Sequence, residues 1–132
     1  MNTITINHEQ YTPSKVICVG RNYHDHIQEL KNEVPTSPVI FIKPNSAISD
    51  TLSVHTKDTE YECEMAFIIR DNAVAGIGIG LDMTERKIQA SLQQKGLPWE
   101  MAKAFDGAAV FSPFKPLPIT LDAASHGSRC SR

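Results

Sequence analysis

The sequence has no cluster of basic residues, no long apolar run and no paired-cysteine motif, and each absence removes a class of function. Thirteen Lys and Arg stand against 15 Asp and Glu over 132 residues, a formal net charge of −2. No patch is present that could neutralise a phosphate backbone or an anionic lipid surface, so neither nucleic acid nor a membrane is expected as a partner. The longest apolar stretches, Val16 to Val19, Val39 to Ile42 and Met65 to Ile69, fall far short of the roughly 20 residues that span a bilayer, and the opening Met-Asn-Thr-Ile-Thr has no cationic export signal. A cytoplasmic protein is the expectation. The three cysteines, Cys18, Cys63 and Cys130, are odd in number and lack CxxC spacing, which argues against a disulfide framework and a zinc site.

What is present is a composition of average globular type, 41% hydrophobic and 21% charged, in a chain of single-domain length that buries roughly two-thirds of its unfolded surface. Val16 to Val19, closed by Gly20, reads as a buried strand, and Asn22 as the cap of a helix over Tyr23 to Lys31. Further strands are expected over Val39 to Ile42, Tyr61 to Ile69 and the glycine-punctuated Ala73 to Leu81. Asp82, three residues before Glu85, reads as the cap of a helix over Met83 to Lys95, ended by Gly96 and Pro98. Short helices among more numerous strands predict a β-rich α/β fold. Residues 119–132 have no periodicity and are expected to be a disordered tail.

Glu62 and Glu64 are two apart in an expected strand, so both carboxylates share one face about 7 Å apart. The other face carries Tyr61, Cys63, Met65, Phe67 and Ile69 and is expected to be buried. Two neighbouring anions raise one pKa unless a cation compensates, and a divalent metal is one remedy; a solvated strand face is the other reading. Asp82 adds a third carboxylate, as a ligand or as a helix cap. An all-oxygen set of this kind suits Mg²⁺ or Mn²⁺ over zinc. His26 and Glu29, three apart on the first expected helix, form either a general base with its orienting carboxylate or a surface pair. Lys103 and Arg21 are candidates to hold a substrate carboxylate.

Five blocks in order, Cys18-Val-Gly-Arg-Asn-Tyr-His-Asp-His26, Phe41-Ile-Lys-Pro44, Glu62-Cys-Glu64, Leu81-Asp-Met-Thr-Glu-Arg86 and Gly96-Leu-Pro-Trp-Glu-Met-Ala-Lys103-Ala-Phe-Asp106, together resemble the fumarylacetoacetate hydrolase family, closest to its acylpyruvate hydrolase and oxaloacetate decarboxylase branch. The resemblance implies a mixed β-sheet roll, incomplete here, with residues 1–118 as the first part of a catalytic domain, and usually a homodimer. It implies Mg²⁺ or Mn²⁺ held by Glu62, Glu64 and Asp82, an acid/base dyad of His26 and Glu29, an active-site Lys103, and Gln89 and Arg21 as substrate-binding residues. The implied activity is metal-dependent cleavage of a small 2-oxo acid: acylpyruvate hydrolysis to pyruvate and a carboxylic acid, or oxaloacetate decarboxylation or tautomerisation, through a metal-stabilised enolate. A second reading, from another class, is a truncated remnant that binds metal or a partner without turnover. Lys87 stands where an Asp commonly follows the Arg of this block, and the interval from Glu64 to Asp82 is shorter than is usual in the family.

Overall fold

A computed structural model describes residues 1–20 and 39–120. Nine strands, two short helices and a 3-10 turn occupy them: β1 (Ile4–Ile6), β2 (Glu9–Tyr11), β3 (Lys15–Gly20), β4 (Val39–Pro44), the turn Asn45–Ala47, β5 (Ile48–Ser49), β6 (Thr59–Arg70), β7 (Ala73–Glu85), α1 (Arg86–Gln94), α2 (Glu100–Lys103), β8 (Ala109–Phe111) and β9 (Lys115–Thr120). The expected β-rich architecture is what is observed. The expected helix over Tyr23 to Lys31 and most of the expected tail lie outside the described residues.

The described residues form three sheets. β1 and β2 pair, β3 and β4 pair, and the main sheet runs β5-β8-β7-β6, with β9 also joined to β7. All pairings in it are antiparallel except β5 with β8, so the sheet is mixed. β6 and β7 form its backbone, a long hairpin turned at Asp71 and Asn72, both at positive φ (50° and 57°). Asn and Asp tolerate this left-handed conformation, and consecutive positive φ values match the right-handed twist of the strands they join.

Strand alternation decides what reaches the core. Along β6, Glu62, Glu64 and Ala66 are half-buried and Ile68 buried, and Ile68 packs with Ile4, Ile48 and Phe114. On the facing β7 positions the register is Glu62 with Asp82, Glu64 with Gly80, Ala66 with Gly78 and Ile68 with Gly76. Three of the four inward β7 residues are therefore glycines. A side chain there would meet the ring of Phe114 at 2.9 Å from Gly78 or that of Phe111 at 2.9 Å from Gly80. The glycines let two aromatic rings lie against the sheet directly below the carboxylates.

Two expectations are corrected. The face Tyr61, Met65, Phe67 and Ile69 is exposed (61, 63, 48 and 57%), because the core is built on the opposite face, which the carboxylates share. Asp82 does not cap a helix: β7 continues to Glu85 and α1 begins at Arg86. The backbone amide of Met83 is bonded to the carbonyl of Ala108, so the sheet ladder outcompetes helix initiation at this point. The helix end is as expected, with Gly96 at φ 63° after the last turn.

Candidate active site

A cavity of about 1220 Å³ lies between the β3–β4 ribbon and the β6–β7 hairpin, lined among others by Cys18, Phe41, Glu62, Glu64, Asp82 and Lys103. A shallower depression of about 720 Å³ beside Asn2, Asn45 and Asp106 holds none of the candidate residues.

The carboxylates enter the cavity from neighbouring strands and meet cations there. Lys103, at the end of α2 and 2% exposed, places Nζ 2.6 Å from Asp82 Oδ2 and 3.5 Å from Glu62 Oε2, and donates to Thr84 Oγ1 at 2.6 Å. One ammonium thus joins the two carboxylates that face each other across the β6–β7 pair. It also stands 5.3 Å from the centre of the Phe41 ring, which itself contacts Trp99 at 5.8 Å. The polar cluster is walled by aromatic rings on that side.

Arg86, at the first position of α1, fixes the other edge. Its Nε donates to Glu60 at 2.8 Å, one terminal nitrogen to Glu62 Oε1 at 3.1 Å and the other to Gln89 Oε1 at 3.0 Å. Desolvation opposes its charge, yet the hydrogen bonds to Glu60 and Glu62 outweigh it and raise the Arg86 pKa. Gln89 is three residues on and shares the helix face; with its amide oxygen held by Arg86, its NH₂ remains as the donor.

Lys43 is the most buried cation among the described residues, 1% exposed on the inward face of β4. Its ammonium donates to the carbonyls of Met83 (3.2 Å), Ala108 (2.9 Å) and Lys103. Nζ also lies 2.8 Å from Asp82 Oδ1, so four oxygens surround an ammonium that has three protons. Asp82 Oδ1 is buried against that positive charge and takes no other hydrogen bond among the described residues. Burial lowers the Lys43 pKa, and Asp82 opposes that shift. Cys18, on the facing strand, is pushed up to about 11 by desolvation and then by the Asp82 charge, so its thiol is protonated and is no nucleophile at neutral pH.

Of the expected site residues the structure brings Glu62, Asp82, Lys103 and Gln89 to this cavity, with Glu64 on the same β6 face. His26, Glu29 and Arg21 lie outside the described residues. Among the described residues, no three of His, Cys, Asp and Glu gather closely enough to hold one ion; Lys103 supplies the cation between Glu62 and Asp82 instead. The set nevertheless fits a hard divalent ion in its chemistry: oxygen donors only, one of them a buried carboxylate oxygen with unused lone pairs. Residues that sequence reasoning gave no role are Lys43, Arg86 and Thr84. A lysine on the inward parity of the apolar strand Val39-Ile-Phe-Ile-Lys was the available signal for the first, and Arg86 with Gln89 at i,i+3 for the second.

The model of the fumarylacetoacetate hydrolase C-terminal domain matches residues 15–129. An oxaloacetate tautomerase of Escherichia coli (strain K12) is 40% identical over 127 residues, covering 80% of this chain and 56% of that protein. A mitochondrial oxaloacetate tautomerase of Bos taurus is 35% identical over 117 residues, covering 76% and 53%. Among solved structures, fumarylpyruvate hydrolase from Pseudomonas aeruginosa in complex with Mn²⁺ and pyruvate superposes with a TM-score of 0.78 at 30% identity, over 87% of this chain and 59% of that one. The chain spans about half the length of the curated relatives it matches.

Proposed function

Because the chain belongs to the fumarylacetoacetate hydrolase family, we propose that it catalyses enolisation of a small 2-oxo acid, with keto–enol tautomerisation of oxaloacetate as the first reading. The observation that carries it is the meeting of Glu62 and Asp82 at one buried ammonium, Lys103, beside the Gln89 amide. Enolisation moves a proton off the carbon next to a keto group and leaves negative charge on the keto oxygen. Lys103, held by Asp82 and Thr84, is suited to meet that charge, and the Gln89 NH₂ to donate to a substrate oxygen. Glu62, Glu64 and Asp82 would hold Mg²⁺ or Mn²⁺, which when bound supplies Lewis-acid polarisation of the 2-oxo acid. The proton at carbon is assigned to His26, oriented by Glu29, and Arg21 to the substrate carboxylate.

The Mn²⁺ and pyruvate bound to the structural relative favour a second reading, hydrolytic cleavage of an acylpyruvate to pyruvate and a carboxylic acid. Both reactions leave enolate charge on the keto oxygen: tautomerisation by loss of a proton from carbon, hydrolysis by addition of water to the distal carbonyl and C–C cleavage that expels the pyruvate enolate, which is then protonated. We further propose that the chain works as a homodimer, a reading supported by the exposed apolar face of β6. The test is to follow the decay of enol-oxaloacetate absorbance and, separately, pyruvate release from acetylpyruvate, each with Mg²⁺, with Mn²⁺ and with chelator. Enol decay above the buffer rate that vanishes with chelator supports the reading; metal-independent activity, or none on either substrate, defeats it.

A further inference from the structure

The contacts of Lys43 exceed what a structural lysine requires. A buried ammonium needs its charge balanced and its three protons accepted. Here the charge is balanced by Asp82 at 2.8 Å, while the protons go to three carbonyls that flank the site: that of Met83, the residue after Asp82; that of Lys103 itself; and that of Ala108, which also accepts from the Met83 amide. The backbone on both sides of the Asp82–Lys103 contact is thus tied to a single point, and Asp82 Oδ1 meets the same ammonium with no other partner among the described residues. An apolar residue at position 43 would leave that oxygen and three carbonyls without compensation.

We propose that Lys43 is a positioning residue: by tying the Met83, Lys103 and Ala108 carbonyls and Asp82 Oδ1 to one ammonium it holds Asp82 and Lys103 in register, so that the Asp82 carboxylate is placed for a divalent cation. The inference deepens the proposed function and rests on its assignment of Asp82 to the metal. Lys43 acts through its neighbours, as residues behind metal ligands do, where substitution typically costs about 10- to 100-fold in metal affinity.

The test uses the whole chain and Mn²⁺ alone, with free Mn²⁺ read by electron paramagnetic resonance well below the melting temperature of each variant. Lys43→Met is expected to weaken Mn²⁺ binding about 10-fold or more at unchanged folded fraction, and Asp82→Asn to abolish it. Loss of binding in Asp82→Asn with unchanged binding in folded Lys43→Met overturns the role of Lys43 alone. Unchanged binding in Asp82→Asn overturns the metal assignment and this inference with it. Should Lys43→Met fail to fold, the native chain decides by nitrogen-15 NMR of its lysine ammonium groups. One slowly exchanging ammonium, coupled to the carbonyl carbons of residues 83, 103 and 108 and shifted by added Mg²⁺, is expected; an ammonium without those couplings, or indifferent to Mg²⁺, refutes the proposal.

Discussion

Replacing Lys103 by Met removes the one ammonium that stands between Glu62 and Asp82 while keeping a side chain of similar length. The exposures involved are small, 3% for Lys103 and 12% for Asp82, so the loss leaves a poorly solvated carboxylate without its cation and Thr84 without its donor. Breaking a buried pair from one side costs about 3–5 kcal/mol; taking the lower end, for a partner that keeps some solvent contact, gives about 3 kcal/mol and a fall in melting temperature on the order of 10 °C. That deficit should depend on metal. A divalent ion at about 100 times its dissociation constant returns about 2.7 kcal/mol, nearly the whole amount, because it replaces the missing charge at the same two carboxylates. In the parent chain the same ion finds Lys103 already there and should stabilise less. Thermal melts of both proteins with chelator and with Mn²⁺ measure the difference, and the enol-decay assay should show turnover lost even where stability is restored. An equal Mn²⁺ shift in both proteins, or none in Lys103→Met, would refute the view that the ammonium and the metal answer the same pair of charges.

Two further outcomes follow from the packing around the site. Gly78→Ala places a Cβ 2.9 Å from the ring of Phe114, which is 4% exposed; overpacking of this kind costs about 1–3 kcal/mol, and adding Phe114→Leu should recover part of it, so strictly additive urea-denaturation energies would remove the clash as the cause. Cys18, with its pKa pushed up to about 11 from 9.0, carries about 100-fold less thiolate near neutral pH than an ordinary cysteine, and its alkylation by iodoacetamide, followed by mass spectrometry, should climb steadily up to that pH. Since the raised value favours the protonated native state, the associated stability is present below pH 9 and is lost as pH rises toward 11; an alkylation plateau reached by pH 9 contradicts the burial argument.

How far the sequence disclosed this structure varies with the kind of information each residue carries. The strands at Val16, Val39 and Tyr61 were legible because apolar and β-branched residues are dense there and the observed limits extend the expected ones by only one or two positions. Which face of β6 is buried was not legible. Glu62, Glu64, Ala66 and Ile68 alternate with Tyr61, Cys63, Met65, Phe67 and Ile69, and local hydrophobicity assigns the second set to the core. The strand does the reverse, because β1 and the Phe114 segment pack on the first set, and which face those distant residues choose is a tertiary decision. Asp82 shows a related limit. Asp-Met-Thr-Glu satisfies the local rule for a helix start, but β7 is held on both sides, by β6 at Glu62 and by β8 at Ala109, and two ladders outweigh one cap.

The carboxylates announced themselves by type and spacing and Lys103 by its place in the family pattern, whereas the pairing of the cations with the carboxylates did not. Lys43, Arg86 and Lys103 come from β4, α1 and α2, separated by tens of residues, and nothing local marks a lysine as a buried partner rather than a solvated charge. The inward parity of Lys43 in an otherwise apolar strand was one clue, and it becomes decisive only when the opposing β7 carboxylate is known. The resulting cluster sets Glu60, Glu62, Glu64 and Asp82 against Lys43, Arg86 and Lys103, so the resident cations already answer most of its negative charge in a partly dry cavity. Under the proposed function, a doubly charged ion entering it would have to bring compensating anions or displace a resident cation. A 2-oxo acid would bring the first, and the Lys103 ammonium, on a flexible stem at the end of a four-residue helix, is the resident best placed to give way. The proposal therefore entails that substrate and metal enter as a pair, with the lysine that holds the carboxylates together released to act on the substrate.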